Sequence, residues 1–466
     1  MNRYPISRRK FFQGSLAASA ALATQSIQQV FANSTFGAKA KPNILLIFSD
    51  QQHWRALGFM DSFFDTPHLD ALARESIVFE NSFCTTPQCS PSRSSLLTGF
   101  YPSKTGVIGN VGAAGGEVLA QETLAPELKS LGYRTGYFGK WHLGDQAVAT
   151  RGWDQSNFKV HDPSAESGAV AFLKQSTRSA KPFALFVSFN NPHDIYNFKK
   201  HSLDPAGQHI PLSPSWEHEI FEGKPSIHKQ FMLEDQGKAI WGKGRSVWEK
   251  YRDCYCTKTK LYDNNVGSIF SELKKQGLWD NTIIIVTSDH GDMDTNHRLI
   301  FKGPFMYEHM VRVPLIIRVP QQFGGTGARR VTNLDVVNVD IAPTIRDLCG
   351  LRAVECDGVS LMPILTGLRG QKTREFVIGQ YYSKQRWINP IRMIRTHDFK
   401  LNRYIYHGEE LYDLKNDPHE LKNLANEWKY ANVKTKLSQK LDRWIKENKD
   451  PFYSLNATTR SGKTIA

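Results

Sequence analysis

No stretch of this 466-residue chain holds the roughly 18 consecutive apolar residues that a membrane-spanning helix needs, which excludes stable membrane insertion through a helix. Cysteine is scarce, at six residues, and Cys254-Tyr255-Cys256 has no second pair to complete a zinc finger. The glycine-rich run Gly324-Gly325-Thr326-Gly327 lacks the following Lys-Ser/Thr of a phosphate cradle, so a nucleotide-binding loop is excluded as well. Helix-turn-helix, zinc-finger and aromatic RNA-binding signatures are all missing, and nucleic acid is not expected as a partner. Internal repeats and low-complexity blocks are absent too. These absences leave a globular chain, long enough for one large domain and a smaller one.

Acid is missing from one place in particular. Met1 to Ala32 carries Arg3, Arg8, Arg9 and Lys10 but no Asp or Glu. Ser7-Arg8-Arg9-Lys10-Phe11-Phe12 precedes a mild apolar run from Ser15 to Ala23, and Val30-Phe31-Ala32 offers a small-residue cleavage site. The arginine pair resembles a twin-arginine export signal, so residues 1–32 are expected to engage an export machinery and leave a periplasmic or secreted protein. Their removal lowers the formal charge from +14 to +10. That excess steers the chain toward polyanions, which with nucleic acid set aside leaves anionic lipid or an acidic polysaccharide. An oxidising compartment permits disulfides, and Cys349 with Cys356, which close a short loop, form the favoured bridge.

Asn43 to Phe48 is a nearly continuous apolar run that ends in Ser49-Asp50 and reads as a buried parallel strand. The pattern recurs. Tyr133 to Gly139 leads to Lys140 and His142, Phe183 to Phe189 to Asn190, Asn191 and His193, and Thr282 to Thr287 to Ser288, Asp289 and His290. Amphipathic stretches such as Thr123 to Leu131 and Thr257 to Gln276 alternate with these strands. The expected fold is therefore α/β, a large, mostly parallel sheet sandwiched by helices. Ligands of such sheets bind off the carboxyl ends of the strands, so four distant polar clusters should converge on one site. The pattern changes near Tyr381: short strands (Ile391 to Tyr406, Glu410 to Leu414), a turn at Asn416-Asp417-Pro418 and a helix from Ala431 to Lys446. This divides the chain into a main domain over 33–380 and a small α+β domain over 381–466, with residues past Phe452 expected to fray.

Asp50, Gln51, Asp289 and His290 form two pairs of candidate metal ligands at strand ends. Two carboxylates and an amide oxygen suit a hard cation such as Ca²⁺, and the imidazole leaves Mg²⁺ or Mn²⁺ open. Lys140 and His142 lie two residues apart, which on an extended segment aims both side chains the same way. Lys302 follows Asp289 by 13 residues. Lys140, Lys302 and Arg93 can neutralise anionic oxygens, His193 can protonate a leaving oxygen, and His142 can act as a base.

The run Cys89-Ser90-Pro91-Ser92-Arg93, continued to Gly99, resembles the signature of type I sulfatases, in which the cysteine is oxidised after translation to formylglycine. Asn43 to Gln51, Gly139 to Gly144, Thr287 to Asp292, Tyr307-Glu308, Arg312 to Leu315 and Glu410 to Leu414 extend the similarity along nearly the whole chain. The chain thus resembles a formylglycine-dependent sulfatase of the alkaline phosphatase superfamily. The resemblance implies an alkaline phosphatase-like fold and a sulfuric ester hydrolase acting on sulfated carbohydrate. It makes Cys89 the nucleophile after conversion by a maturating enzyme, with Arg93, Lys140, His142, His193 and Lys302 around it and Ca²⁺ on Asp50, Gln51, Asp289 and His290. Gln51 and His290 depart from the Asp and Asn of many members and are similar to phosphonate monoester hydrolases, the alternative activity, and to a subset of sulfatases. Trp216 to Lys229, His297-Arg298 and Lys384 to Trp387 are candidate substrate loops, offering cations and aromatics.

Overall fold

The structure, a computed structural model, describes residues 41–203 and 210–465. The expected signal segment, 1–32, lies outside the described residues. Between Pro42 and Ala466 the chain packs as one compact unit.

Its framework is an eight-stranded sheet. In chain order the strands are β1 (Asn43–Asp50), β2 (Ile77–Phe79), β3 (Arg134–Gly139), β4 (Gln155–Asn157), β5 (Phe183–Pro192), β6 (Thr282–Ser288), β7 (Leu315–Arg318) and β8 (Arg329–Val331). They lie side by side as β4-β3-β5-β1-β6-β7-β2-β8, with β7 alone running against its neighbours. The four strands read from the sequence are the central β3, β5, β1 and β6, buried along their length as continuous apolar runs require.

Side chains alternate across the pleat. Ile44, Leu46 and Phe48 of β1 face a cluster with Leu96, Leu97, Leu128, Ile341 and Ile345, from helices α1 (Cys89–Thr98), α2 (Ala125–Ser130) and α5 (Ile341–Leu348). Leu45 and Ile47 face the other side, against Phe172 and Leu173 of α3 (Asp162–Ser176) and Val266, Ile269 and Leu273 of α4 (Arg245–Lys275). Buried residues of α4 fall at positions 248, 251, 252, 255, 259, 262, 266, 269 and 273, an i, i+3, i+4 stripe against the sheet. The opposite stripe of α4 is charged. No helix among the described residues is long and apolar enough to cross a membrane.

A second, antiparallel sheet begins at Val377, inside the stretch where the sequence pattern changes. It comprises β9 (Val377–Lys384), β10 (Trp387–Arg395), β11 (Phe399–Tyr404) and β12 (Glu409–Asp413). Leu437, Leu441 and Ile445 of α6 (Ala431–Glu447) cover one face at i, i+4 spacing; Tyr381, Ile391, Met393 and Tyr412 join the cluster around Phe305 and Tyr307 on the other.

Two local expectations are corrected. Residues past Phe452 are tied down: Ala457–Thr458 pairs with Thr464–Ile465, Thr458 Oγ1 accepts from Ile388 N at 3.0 Å, and Arg460 reaches Asp235 at 2.9 Å. The expected Cys349–Cys356 bridge is not formed. Cys349 is turned toward the Tyr133 hydroxyl, while Cys356 packs against Gly99 and its thiol meets the Gly358 carbonyl at 3.7 Å.

Candidate active site

Register brings the site together. Ser49 lies opposite Ser288, and Phe48 and Gly139 both lie opposite Ser188, so β1, β3, β5 and β6 end at one level. Asp50, Lys140 and Asp289 lie at that edge. Gly139 has a φ of 105°, and a side chain there would run into the Ser188 carbonyl; only glycine lets the chain turn toward Lys140. Cys89 opens α1, where free backbone N–H groups favour negative charge. Arg93 follows one turn later and therefore shares its face.

Arg93 is fully buried and spends its guanidinium on four partners. Nε donates to Asp289 Oδ2 at 2.8 Å and Nη2 to Asp50 Oδ2 at 3.0 Å, while Nη1 donates to the Lys140 carbonyl and Ser188 Oγ, each at 2.7 Å. Lys140 Nζ lies 2.6 Å from Asp50 Oδ2. Lys302 Nζ donates to Gln51 Oε1 and Cys89 Sγ, both at 2.9 Å, and lies 3.3 Å from His290 Nε2. Burial raises the pKa of Asp50, but Lys140, His193, Lys302 and Arg93 outweigh it and hold the carboxyl well below its usual range. Burial and Asp50 push the Cys89 thiol up, yet Lys302, Lys140 and His290 together bring it well below a free thiol. Burial, Lys302 and Lys140 press His193 down to about 4, against the pull of Asp50 and Cys89.

With Arg93 and Lys140 behind the carboxylates, the remaining donors face one another. One ligand atom each of Asp50, Cys89, Asp289 and His290 lies within 4.8 Å of the others, and His290 Nε2 is 3.6 Å from both Asp50 Oδ1 and Asp289 Oδ1. His290 Nδ1 is 2.8 Å from the Gly291 carbonyl, which can only accept. Nδ1 therefore carries the proton and Nε2 offers its lone pair to the cluster. Two carboxylate oxygens and one such imidazole lone pair are a donor set that fits a divalent cation.

The sequence placed nine of its ten candidates in contact: Asp50, Gln51, Cys89, Arg93, Lys140, His193, Asp289, His290 and Lys302 interact directly or through one neighbour. His142 is the exception. The chain beyond Gly139 is not extended, His142 has a φ of 58°, and alternation therefore does not carry its side chain to the side of Lys140. Its Nδ1 is buried and makes no hydrogen bond among the described residues.

The candidate substrate loops are also revised. His297 is buried, bound to Glu219 at 2.8 Å and stacked on Tyr307, and Arg298 donates to the Trp216 carbonyl. Lys384 is buried, with its ammonium on the carbonyl of Lys302. Sequence reasoning missed Ser188, Tyr251, Tyr255 and Asp292. The only signal for the tyrosines was their place on the buried stripe of α4, which also describes an ordinary core residue. The loop from β6 to Lys302 was opaque as well: Asp294, Thr295, His297, Arg298 and Phe301 all have positive φ, which nothing short of the surrounding structure dictates.

Both the fold and this edge are those of an ester hydrolase of the alkaline phosphatase superfamily. The family model described as sulfatase matches residues 42–351, and a second, described as N-sulphoglucosamine sulphohydrolase, C-terminal, matches 296–447. The chain belongs to the sulfatase family and is a hydrolase of sulfate esters. It is 28% identical to a Delta 4,5-hexuronate-2-O-sulfatase of Bacteroides thetaiotaomicron, over 90% of this chain and 92% of that one. A solved 2-O GAG sulfatase is also 28% identical and superposes with a TM-score of 0.79, covering 90% of this chain and 95% of its own. The phosphonate monoester hydrolase of Agrobacterium radiobacter shares the fold, with a TM-score of 0.71 at 23% identity over 91% of this chain and 99% of its own.

Proposed function

We propose that the enzyme removes sulfate from a sulfated carbohydrate outside the cytoplasm, after export through residues 1–32 and conversion of Cys89 to formylglycine by a maturating enzyme. The observation that carries this reading is the placement of Cys89 at the start of α1, with Lys302 2.9 Å from its sulfur and the Asp50, Asp289 and His290 donors beside it. The Cys89 thiol marks the position of an aldehyde hydrate, whose two hydroxyls would respectively attack sulfur and expel sulfate as the aldehyde re-forms. A divalent cation, Ca²⁺ by the oxygen-dominated donors, would be held by Asp50, Gln51, Asp289 and His290 and supply positive charge at the sulfate oxygens.

The chain's own residues do the rest. Lys140 and Lys302 neutralise the equatorial oxygens, and Arg93 fixes both carboxylates so that their Oδ1 atoms stay aimed at the cluster. His193 gives a proton to the leaving sugar oxygen. Its low pKa in the free enzyme makes it a strong acid, and a bound sulfate ester, as an added negative charge, favours its protonation. His142, whose buried Nδ1 makes no hydrogen bond among the described residues, is the proposed acceptor of the proton whose loss drives sulfate release, and it would have to reach the hydrate from outside the contacts described above. Support for a sugar comes from the excess of basic residues and from the similarity to a hexuronate sulfatase.

The test is intact mass plus turnover. A residue 89 lighter than cysteine by the thiol-to-aldehyde difference, with desulfation of a uronate-containing oligosaccharide, is the expected result. Faster cleavage of an aryl phosphodiester than of any sulfate ester would favour the phosphonate-hydrolase alternative instead.

A further inference from the structure

Asp292 is fully buried and enters no ion pair among the described residues. Its carboxylate meets only neutral donors. Gln51 Nε2 lies at 2.6 Å, the Tyr251 hydroxyl at 2.9 and 3.1 Å, and the Asp294 N–H at 2.7 Å. The Tyr251 hydroxyl accepts from Phe301 N at 2.8 Å, which leaves its proton for Asp292. On its far side, Gln51 Oε1 accepts from Lys302 Nζ at 2.9 Å. A carboxylate only accepts and an ammonium only donates, so these two neighbours allow one orientation of the Gln51 amide. Nitrogen points to Asp292; oxygen points toward Lys302, Cys89 and His290.

An amide has two faces of opposite chemistry, and only the oxygen can serve a cation. An aspartate at position 51 would present oxygen whichever way it turned. Glutamine needs an orienting partner. It also lacks a charge, and Asp292 supplies one a single hydrogen bond further out.

We propose that Asp292 is a positioning residue for the cation: it locks Gln51 with its oxygen toward the Asp50–Asp289–His290 cluster and returns the negative charge that a glutamine leaves out. The proposal rests on the cation reading above. Tyr251 completes the device, since it ties Asp292 to the backbone just before Lys302 and so couples Gln51 to that lysine.

The experiment measures calcium affinity by titration calorimetry on chelator-stripped protein, with far-ultraviolet circular dichroism as the check on folding. In Asp292→Asn, the oxygen of the new amide is claimed by Tyr251 and Asp294 N–H, so its nitrogen faces Gln51 and the Gln51 amide turns over. The dissociation constant should rise about 10- to 100-fold, as loss of an orienting partner does. In the double variant Gln51→Asp/Asp292→Asn, the hydrogen bond is reversed and the total charge is kept. The amide introduced at position 292 would then donate to the carboxylate introduced at position 51, whose other oxygen faces the cluster. The dissociation constant should return to within about fivefold of wild type.

A merely structural role for Asp292 predicts no such rescue. Wild-type affinity in Asp292→Asn, or a double variant no tighter than the single one, overturns the proposal. Should the single variant not fold, the double variant alone decides, and loss of binding in a folded double variant counts against it. Wild-type protein that binds no calcium, magnesium or manganese sinks the cation reading and this proposal with it, a result distinct from the failed rescue.

Discussion

Two of the buried charge networks among the described residues are built to opposite ends. One joins the main sheet to the C-terminal sheet. Glu308 Oε1 accepts from Arg395 Nε and Lys400 Nζ, both at 3.2 Å; Glu420 accepts from the Glu308 N–H at 2.8 Å and pairs with Lys400. Cations are interleaved with the carboxylates there, and although burial raises the pKa of Glu308, Arg395 and Lys400 hold it down at about 2. The other network is the strand-end cluster. Arg93 and Lys140 satisfy Asp50 and Asp289 from behind, while in front two carboxylate oxygens, an imidazole lone pair and a sulfur gather around the ammonium of Lys302. Both networks are fully desolvated. The difference teaches that burial of charge is not itself the mark of a site; lone-pair donors gathered from several strand ends at one edge are a better one.

The largest effect should come from Cys89→Ala. Turnover should fall by at least about 10⁴-fold, as expected for loss of a nucleophile, with the melting temperature nearly unchanged, because the thiol takes part in no core packing that alanine cannot replace. Retained sulfatase activity in a mass-verified preparation would break the assignment of this network to chemistry.

His193→Ala sharpens the comparison within the site. A sugar alkoxide leaves poorly and needs a proton, whereas nitrophenolate leaves without one. Activity on sulfated sugar should drop about 10²- to 10⁴-fold and on nitrophenyl sulfate far less. Equal losses on the two substrates would move the acid to another group. His142→Ala should instead slow release of sulfate from either substrate, seen as a burst of nitrophenol before slow turnover.

Glu308→Gln tests the other network. It leaves Arg395 and Lys400 underpaired in a dry interface, which should cost about 3–5 kcal/mol in denaturant unfolding while kcat stays within about twofold. A catalytic defect without a stability defect would erase the distinction between the two regions.

The smallest effect is a pH slope. Burial pushes His228 down to about 4, where its Nε2 hydrogen-bonds the Tyr404 hydroxyl at 3.1 Å. Below its ordinary value of about 6.5, the unfolded chain takes up a proton that the folded one refuses. Stability should therefore fall as pH drops from about 6.5 to 4 and lose nothing further from this group below that, a change of about 3 kcal/mol at most. Unfolding titrations of His228→Gln should show that slope reduced; an unchanged slope would place the titration elsewhere.

Much of this was legible beforehand, for identifiable reasons. A parallel strand buried on both faces must be a continuous apolar run, so β1, β3, β5 and β6 declared themselves, and the polar residues at their carboxyl ends had to meet. Gln51, Cys89, Arg93 and Lys302 were found through the motifs they occupy. The misses share a cause. The side-chain direction expected for His142 does not follow, because an alternation argument holds only while the backbone is extended, and Gly139 ends that. Lys384 and His297 read from the sequence as substrate-loop cations because a basic residue in a loop carries no local sign of being buried by a distant segment. The C-terminal hairpin was taken for a frayed end because its anchors, Ile388 and Asp235, lie about 70 and 220 residues away in sequence.

By itself, then, the sequence determined the layers of the fold and the strand ends where the polar clusters lie, because periodicity and motif spacing are local properties of a chain. Tertiary structure alone decided which carboxylate oxygens Arg93 and Lys140 claim, which way the Gln51 amide faces and which buried charges are closed into a scaffold. Those are outcomes of mutual geometry between segments as far apart as Gln51 and Asp292, and hydrogen bonds of that reach leave no trace in either segment's own pattern.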